Sequence, residues 1–174
     1  MKITVFPEQW VFILNKIFVD KVKIKYSILP TFSGGTGQGK LHPNLSATRY
    51  DWLRIAKAIM DDYQNDTCVG KYLKTIYERR IPKKYNEKKN EPGFGRTKSY
   101  GGQFHMDFPG LKDKIIFGMG GYGGNMILID VENSRILVVN SLHYNNKQYK
   151  YNHQKLLYDP FKKGKWELIL SLIH

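Results

Sequence analysis

A glycine-rich stretch followed by two apolar segments constrains the fold of this chain more than any other feature. Five glycines lie between Gly118 and Gly124, and the segments 124–130 and 135–141 after them are rich in Ile, Leu and Val. The polar cluster 131–134 between these segments is typical of the turn of a β-hairpin. The sequence therefore predicts two paired strands whose apolar face is covered by another layer.

The glycines themselves allow two interpretations. At a strand edge they remove side chains, so that a ligand or another backbone can approach the backbone N–H groups. Glycines also form bulges and tight corners in sheets, and their spacing alone favours this second interpretation. In both cases, the run 117–124 is interpreted as a glycine-rich strand edge that leads into the hairpin.

Two helices and two further strands are predicted around this hairpin. Apolar residues recur at helical spacing near 48–63 and again over 69–79. Thr48 or Ser46 is expected to cap the first helix, with Asp51 in the position of a capping-box residue. The segments 100–107 and 115–118 are predicted to be strands, and 82–99 a surface loop.

The two ends of the chain carry weaker patterns. Residues 8–19 have helix-like apolar spacing, and 21–28 alternate basic and apolar residues as a half-exposed strand does. A helix is predicted over 151–159, and 166–173 is a final apolar segment. The fold class expected is α+β, an antiparallel β-sheet flanked by helices. The domain organisation expected is an N-terminal segment, 1–32, followed by one domain, 33–174.

A phosphate-binding loop is suggested by the run Gly34 to Lys40, which satisfies the pattern G-x-x-x-x-G-K. However, Leu41 stands where a Ser or Thr would ligate magnesium. Pro43 also lies where the helix of such a loop should run, and an interior proline breaks helices. We therefore interpret 33–40 as a flexible glycine-rich connection.

Composition limits the classes of function. The chain has 174 residues, 41% of them hydrophobic, which suffices for one domain with a core. Its net charge of +13 predicts anionic neighbours such as nucleic acid, an acidic membrane surface or a cell-wall polymer. The basic residues are scattered in short clusters, so no specific nucleic-acid site is expected.

No metal or cofactor is expected. The single cysteine, Cys68, excludes an intrachain disulfide and a cysteine-based zinc site. The five histidines show no paired spacing of the kind that binds metals. His105, on a predicted strand near the glycine-rich edge, is the best candidate for a pocket residue, although a surface or core role is commoner for such a histidine.

Several segments together resemble the C-terminal part of β-lactamase-related serine hydrolases, which include class C β-lactamases, DD-peptidases and carboxylesterases. The resemblance covers about residues 33–160 and rests on these segments: 45–48, 51–56, 100–104, 118–124, 127–130 and 138–141. It implies a partial transpeptidase-like fold, as in penicillin-binding proteins. It also implies that Met119, Gly120, Gly121 and Tyr122 stand at the family's third motif, with the backbone N–H of Tyr122 in the oxyanion hole.

The chemistry that the resemblance implies is ester or amide hydrolysis through a serine acyl-enzyme. In the family the nucleophile and its base form the motif S-x-x-K, and none of the seven serines in this chain has a lysine three residues later. The expected function is therefore that of a C-terminal fragment of a bacterial hydrolase, inactive alone, with no catalytic residue in this chain. A full-length relative would act on a small ester or amide in the periplasm or cell envelope.

A second hypothesis stays open, namely a basic, non-catalytic binding module for nucleic acid or an anionic polymer. Salt-dependent binding to DNA would favour this module, whereas reaction of a longer chain with an acylating probe would favour the hydrolase. The sequence as given shows neither a signal peptide nor a transmembrane segment, and it does not specify an oligomeric state.

Overall fold

In a computed structural model of the protein, the residues described here are 12, 14–26, 29–34, 41–83, 97–108, 111, 114–121 and 125–139. The chain divides into two compact units, Met1–Ala58 and Ile59–His174. The described residues form helices and antiparallel sheets, which confirms the α+β class. The predicted helix at 151–159 and the apolar segment 166–173 lie outside the described residues.

The unit Met1–Ala58 contains a π-helix, Asn15–Lys21, and a hairpin of strands β1, Leu29–Gly34, and β2, Leu41–Ser46. Gly34 pairs with Leu41, so the first two residues of the connection predicted over 33–40 belong to β1, and β2 begins directly after it. The strand β2 also runs where a phosphate-binding loop would have its helix.

The strand predicted at 21–28 is wrong over its described residues. The π-helix continues to Lys21, and Lys23 has a φ of 60°. Extended strands require negative φ, so this left-handed residue interrupts the backbone that the alternating pattern predicted.

Two α-helices follow, α1, Arg49–Gln64, and α2, Cys68–Glu78, in agreement with the prediction. Thr48 precedes α1, and its hydroxyl accepts a hydrogen bond from the N–H of Asp51 at 3.2 Å. Thr67 caps α2 by accepting a bond from the N–H of Gly70 at 3.1 Å. Each cap satisfies one of the N–H groups that the first turn of a helix leaves without a partner.

The sheet of the unit Ile59–His174 is a meander in which each strand pairs with the next along the chain. Its six strands are β3, Ile81–Pro82, β4, Ser99–Gly101, β5, Phe104–Met106, β6, Ile116–Gly121, β7, Asn125–Asp130, and β8, Arg135–Val139. The turn predicted at 131–134 joins β7 to β8, and Asp130 pairs with Arg135 across it.

The single strand predicted over 100–107 is wrong, because a tight hairpin divides it into β4 and β5. Gly101 pairs with Phe104, and the two residues between them have φ of 52° at Gly102 and 70° at Gln103. A two-residue turn with positive φ at both positions matches the twist of the flanking strands. A side chain at Gly102 would also lie 2.4 Å from the end of Ile76.

The strand β6 is internal rather than at an edge, which corrects the interpretation of the glycine-rich run. It pairs along its length with β7 and, through Gly118, with His105 of β5. Alternate residues of β6 face opposite sides of the sheet. Ile116 belongs to an apolar cluster with Leu128 and Leu137, whereas Phe117 meets the aromatic rings of Phe104, Tyr63 and Tyr77.

Candidate functional site

The glycine-rich part of β6 lies beside a strand that is too short to cover it. The pairing between β5 and β6 is at His105 and Gly118, and β5 begins only one residue earlier, at Phe104. Gly120 and Gly121 therefore extend past β5 and have no strand partner on that side within the described residues. Gly118 is buried, Met119 is half-buried and Gly120 is exposed. Of the residues of β6 whose burial is described, Gly120 is the exposed one.

The structure brings two of the predicted site elements together, and the third lies outside the described residues. His105 stands directly opposite Gly118, so the candidate pocket histidine and the third-motif strand are neighbours. Met119, Gly120 and Gly121 form the end of β6. Tyr122, whose N–H the resemblance places in an oxyanion hole, lies outside the described residues.

A polar cluster surrounds His105 at the end of the sheet formed by β3 to β5. The ammonium group of Lys83, just after β3, donates hydrogen bonds to the hydroxyl of Thr97 and to Nδ1 of His105, the second at 3.1 Å. The hydroxyl of Thr97 lies 3.4 Å from the same ring nitrogen. The ring of Tyr100 meets the imidazole edge-on with 4.9 Å between the centroids.

These surroundings determine the protonation state of His105. Burial and, to a smaller extent, the charge of Lys83 lower its pKa from 6.5 to about 4. The imidazole is therefore neutral at neutral pH. Because an ammonium group only donates, Nδ1 acts as the acceptor and the ring proton is on Nε2. His105 can donate a hydrogen bond through Nε2, but its low pKa makes it a weak general base.

A second polar group joins the end of α2 to the sheet. Arg80 donates to the carboxylate of Asp107 at 2.7 Å, and its guanidinium lies 4.2 Å from the ring centroid of Tyr77. The hydroxyl of Ser99 donates to the same carboxylate at 2.5 Å. The hydrogen bond that Arg80 donates to Asp107 raises the pKa of Arg80. Ser99 is buried, so its hydroxyl is not accessible to a substrate in this structure.

The sequence did not indicate Lys83, Thr97, Arg80 or Asp107. Lys83 and Thr97 are separated by 14 residues, and they flank a stretch whose composition predicted only a surface loop. Arg80 and Asp107 are 27 residues apart. A local sequence pattern does not indicate contacts between residues so far apart in the chain. The antiparallel pairing of β3, β4 and β5 brings the four residues into two neighbouring clusters.

Among the described residues, no group of three or more His, Cys, Asp or Glu side chains is arranged to hold a metal ion. Of the helices that the structure describes, none has both the length and the apolar character needed to cross a bilayer. Comparison of the chain with known protein families, with curated proteins and with solved structures finds no match.

Proposed function

We propose that this chain is the C-terminal part of a β-lactamase-related serine hydrolase, and that the complete enzyme cleaves an ester or amide through a serine acyl-enzyme. The observation that carries the proposal is the geometry of β6. A glycine-rich strand runs past its short neighbour and exposes its backbone at Gly120, beside a histidine that is neutral. In the family that the sequence resembles, the strand in this position forms one wall of the substrate pocket.

The glycines have a physical role in such a pocket. A side chain at the exposed position of Gly120 would keep a substrate away from the strand, and glycine removes that obstacle. Backbone N–H groups fixed at the end of a strand can then stabilise the oxyanion that develops on the substrate, because their position does not change during the reaction.

The nucleophile has to come from outside this chain. A serine hydroxyl is a weak nucleophile unless a base activates it, and no serine here is followed at the third position by lysine. This chain would supply the third-motif strand, with His105 beside it as a hydrogen-bond donor. The residues that form the acyl-enzyme would lie in sequence preceding Met1.

The test compares this chain with a longer one that begins upstream of Met1, each treated with a fluorophosphonate probe and analysed by mass spectrometry. We expect the longer chain to be labelled at one serine within an S-x-x-K motif and the 174-residue chain to remain unlabelled. Stoichiometric labelling of a single serine in the short chain would contradict the proposal, as would an upstream sequence that lacks the motif.

Two variants of the longer chain test the role of β6. Gly120→Val places a side chain at the exposed position of β6, and we expect it to slow labelling by at least about tenfold. Met119→Val is the matched control, because neighbouring residues in a strand face opposite sides. Equal rates for the two variants and the parent chain would show that substrate does not approach β6.

A further inference from the structure

The segment 12–26 exposes an unusual share of the large apolar side chains. Nine such side chains are exposed among the described residues, and four of them lie here: Phe12, Ile17, Val19 and Tyr26. The π-helix in this segment, Asn15–Lys21, has no buried residue. A short helix without a buried side chain is marginal in water, so an outside surface would stabilise it.

The charges of the same segment are almost all positive. It contains four lysines, at 16, 21, 23 and 25, and one acidic residue, Asp20, which gives a net charge of +3. The ammonium group of Lys16 lies 5.3 Å from the ring centroid of Phe12, so cationic and apolar groups are interleaved. A surface that fits this segment is therefore negatively charged and accepts apolar side chains.

The end of the segment is attached to α1. Asp51 accepts hydrogen bonds from the backbone N–H groups of Lys25 at 2.9 Å and Tyr26 at 3.2 Å. Tyr50, the neighbour of Asp51, is 68% exposed, and Leu53 one turn further is also exposed. The helix that holds the basic segment therefore carries a second pair of exposed apolar side chains, Tyr50 and Leu53.

We propose that residues 12–26 bind the surface of an anionic lipid bilayer, with Ile17 entering the interface and the lysines contacting lipid headgroups. Helices with lysines beside exposed apolar residues lie in this way at the boundary between headgroups and acyl chains. The long aliphatic stems of the lysines let their charges reach the headgroups while the backbone lies deeper.

Nucleic acid fits the segment less well. Proteins that hold single strands rely on aromatic side chains on which bases stack and on arginine, and they gain little from aliphatic residues. Residues 12–26 contain no arginine, and two of the four exposed apolar side chains, Ile17 and Val19, are aliphatic. The lipid proposal does not depend on the hydrolase assignment, because it involves other residues and no catalysis.

The experiment is sedimentation of the full 174-residue chain with two kinds of vesicle, phosphatidylcholine alone and phosphatidylcholine mixed with phosphatidylglycerol. We expect binding to the anionic vesicles only, and weaker binding as salt screens the charges. Equal binding to both vesicle types, or binding to duplex DNA with none to anionic vesicles, would overturn the proposal.

Two pairs of variants locate the contact. Lys23→Gln with Lys25→Gln should lower the partition coefficient on anionic vesicles by roughly ten- to thirtyfold, because each of the two lysines near the surface contributes roughly three- to fivefold. Lys57→Gln with Lys71→Gln removes the same charge from exposed positions on α1 and α2, and we expect a change of less than about threefold. An equal loss for both pairs would indicate a general charge effect and overturn the proposal.

The apolar part of the contact is tested by Ile17→Ser. Val19→Ser is the matched control, because residues two positions apart lie on opposite sides of a helix. Both side chains are exposed, so helix content by circular dichroism and the melting temperature should not change. We expect Ile17→Ser to bind anionic vesicles roughly tenfold more weakly, because less apolar area leaves water at the interface, and Val19→Ser to change binding by less than about threefold. Unchanged binding of the Ile17→Ser variant would show that the lipid interaction is purely electrostatic and would contradict the proposal.

Discussion

Each of the two compact units of this protein is stabilised internally by a different kind of interaction. In the unit Ile59–His174 the described residues form an apolar core, with Phe117, Leu128 and Ile129 completely buried in the sheet. In the unit Met1–Ala58 the only described buried apolar residues are Ile55 and Ala56, both on α1. Apart from the β1–β2 hairpin, the long-range hydrogen bonds described there converge on one buried carboxylate, that of Asp51.

The difference has consequences for solution behaviour. Apolar burial responds little to pH or salt, whereas a carboxylate that organises a segment stabilises it only while it is ionised. Burial alone would raise the pKa of Asp51, but hydrogen bonds from the N–H of Lys25, the hydroxyl of Thr48, the guanidinium of Arg54 and the N–H of Tyr26 outweigh burial and lower it. The first unit should therefore be sensitive to acid and the second to loss of packing.

The largest effect is expected from Phe117→Ala in the core of the second unit. Phe117 is fully buried, and its ring centroid lies 5.2 Å from that of Phe104 and 5.8 Å from that of Tyr63. Removing the ring should lower the free energy of unfolding by about 3–5 kcal/mol, measured by urea denaturation. Phe12→Ala, at an exposed position of the first unit, should change it by less than about 0.5 kcal/mol. Similar losses for both variants would remove the contrast between the units.

The next effect is that of Asp51→Asn, which we expect to loosen the first unit by about 2 kcal/mol. Hydrogen exchange should accelerate at the amides of Lys25 and Tyr26 and stay unchanged in β6 and β7. Asp66→Asn removes an exposed pair with Lys74 and should leave exchange at both amides unchanged. Unchanged exchange at Lys25 and Tyr26 would show that Asp51 does not hold the segment.

Asp51 also makes the stability of the first unit decrease in acid. The pKa of Asp51 is below 3.8 in the folded protein, so the unfolded chain takes up its proton first as pH falls. The contribution of Asp51 is complete above pH 3.8 and is lost as pH falls through the folded pKa. Exchange at Lys25 and Tyr26 measured down to this range should show the loss in the parent chain, and the Asp51→Asn variant should lack it.

A smaller effect is expected at the turn between β4 and β5. Gly102→Ala introduces a side chain at a φ of 52° and against Ile76, which should destabilise the second unit by about 1–2 kcal/mol. Gln103→Ala is the matched control, because Gln103 already has a Cβ at positive φ; we expect less than about 1 kcal/mol from the loss of its bond with Tyr100. A higher free energy of unfolding for Gly102→Ala would contradict the positive φ and the close contact with Ile76 described for this turn.

The last effect is a weak dependence of the stability of the second unit on pH, which arises from His105. Its pKa falls from 6.5 to about 4 on folding, so the unfolded chain binds more protons between these values and stability decreases as pH falls from 6.5 towards 4. The full shift corresponds to about 3 kcal/mol, and screening at this half-exposed ring reduces the expected effect to about 1–2 kcal/mol. His105→Gln should flatten this part of the stability profile. An identical profile for the variant would exclude His105 as its source.

Local sequence patterns predicted much of the secondary structure. The helices α1 and α2 were found because apolar residues recur at helical spacing and Thr48 caps the first of them. The turn at 131–134 was found because its polar residues separate two apolar runs. These signals act between residues that are close in sequence, so each segment carries its own information.

Other parts of the fold were missed because the decisive neighbours are far apart in sequence. The hairpin β1–β2 pairs residues on both sides of a stretch whose composition suggested only a connection. The turn at Gly102 and Gln103 was hidden inside a run that fits one strand. The position of β6 between two other strands depends on which strand pairs with it, and composition does not report that choice.

The sequence by itself determined the two α-helices, the β7–β8 turn, the glycines of β6 and the absence of an S-x-x-K motif. Tertiary structure decided which groups meet: Asp51 with the backbone of Lys25 and Tyr26, and His105 with Lys83 and Thr97. The physical reason is that a helix or a turn forms from interactions within a few residues, whereas the charge state of a buried group depends on desolvation and on partners that only the complete fold brings near.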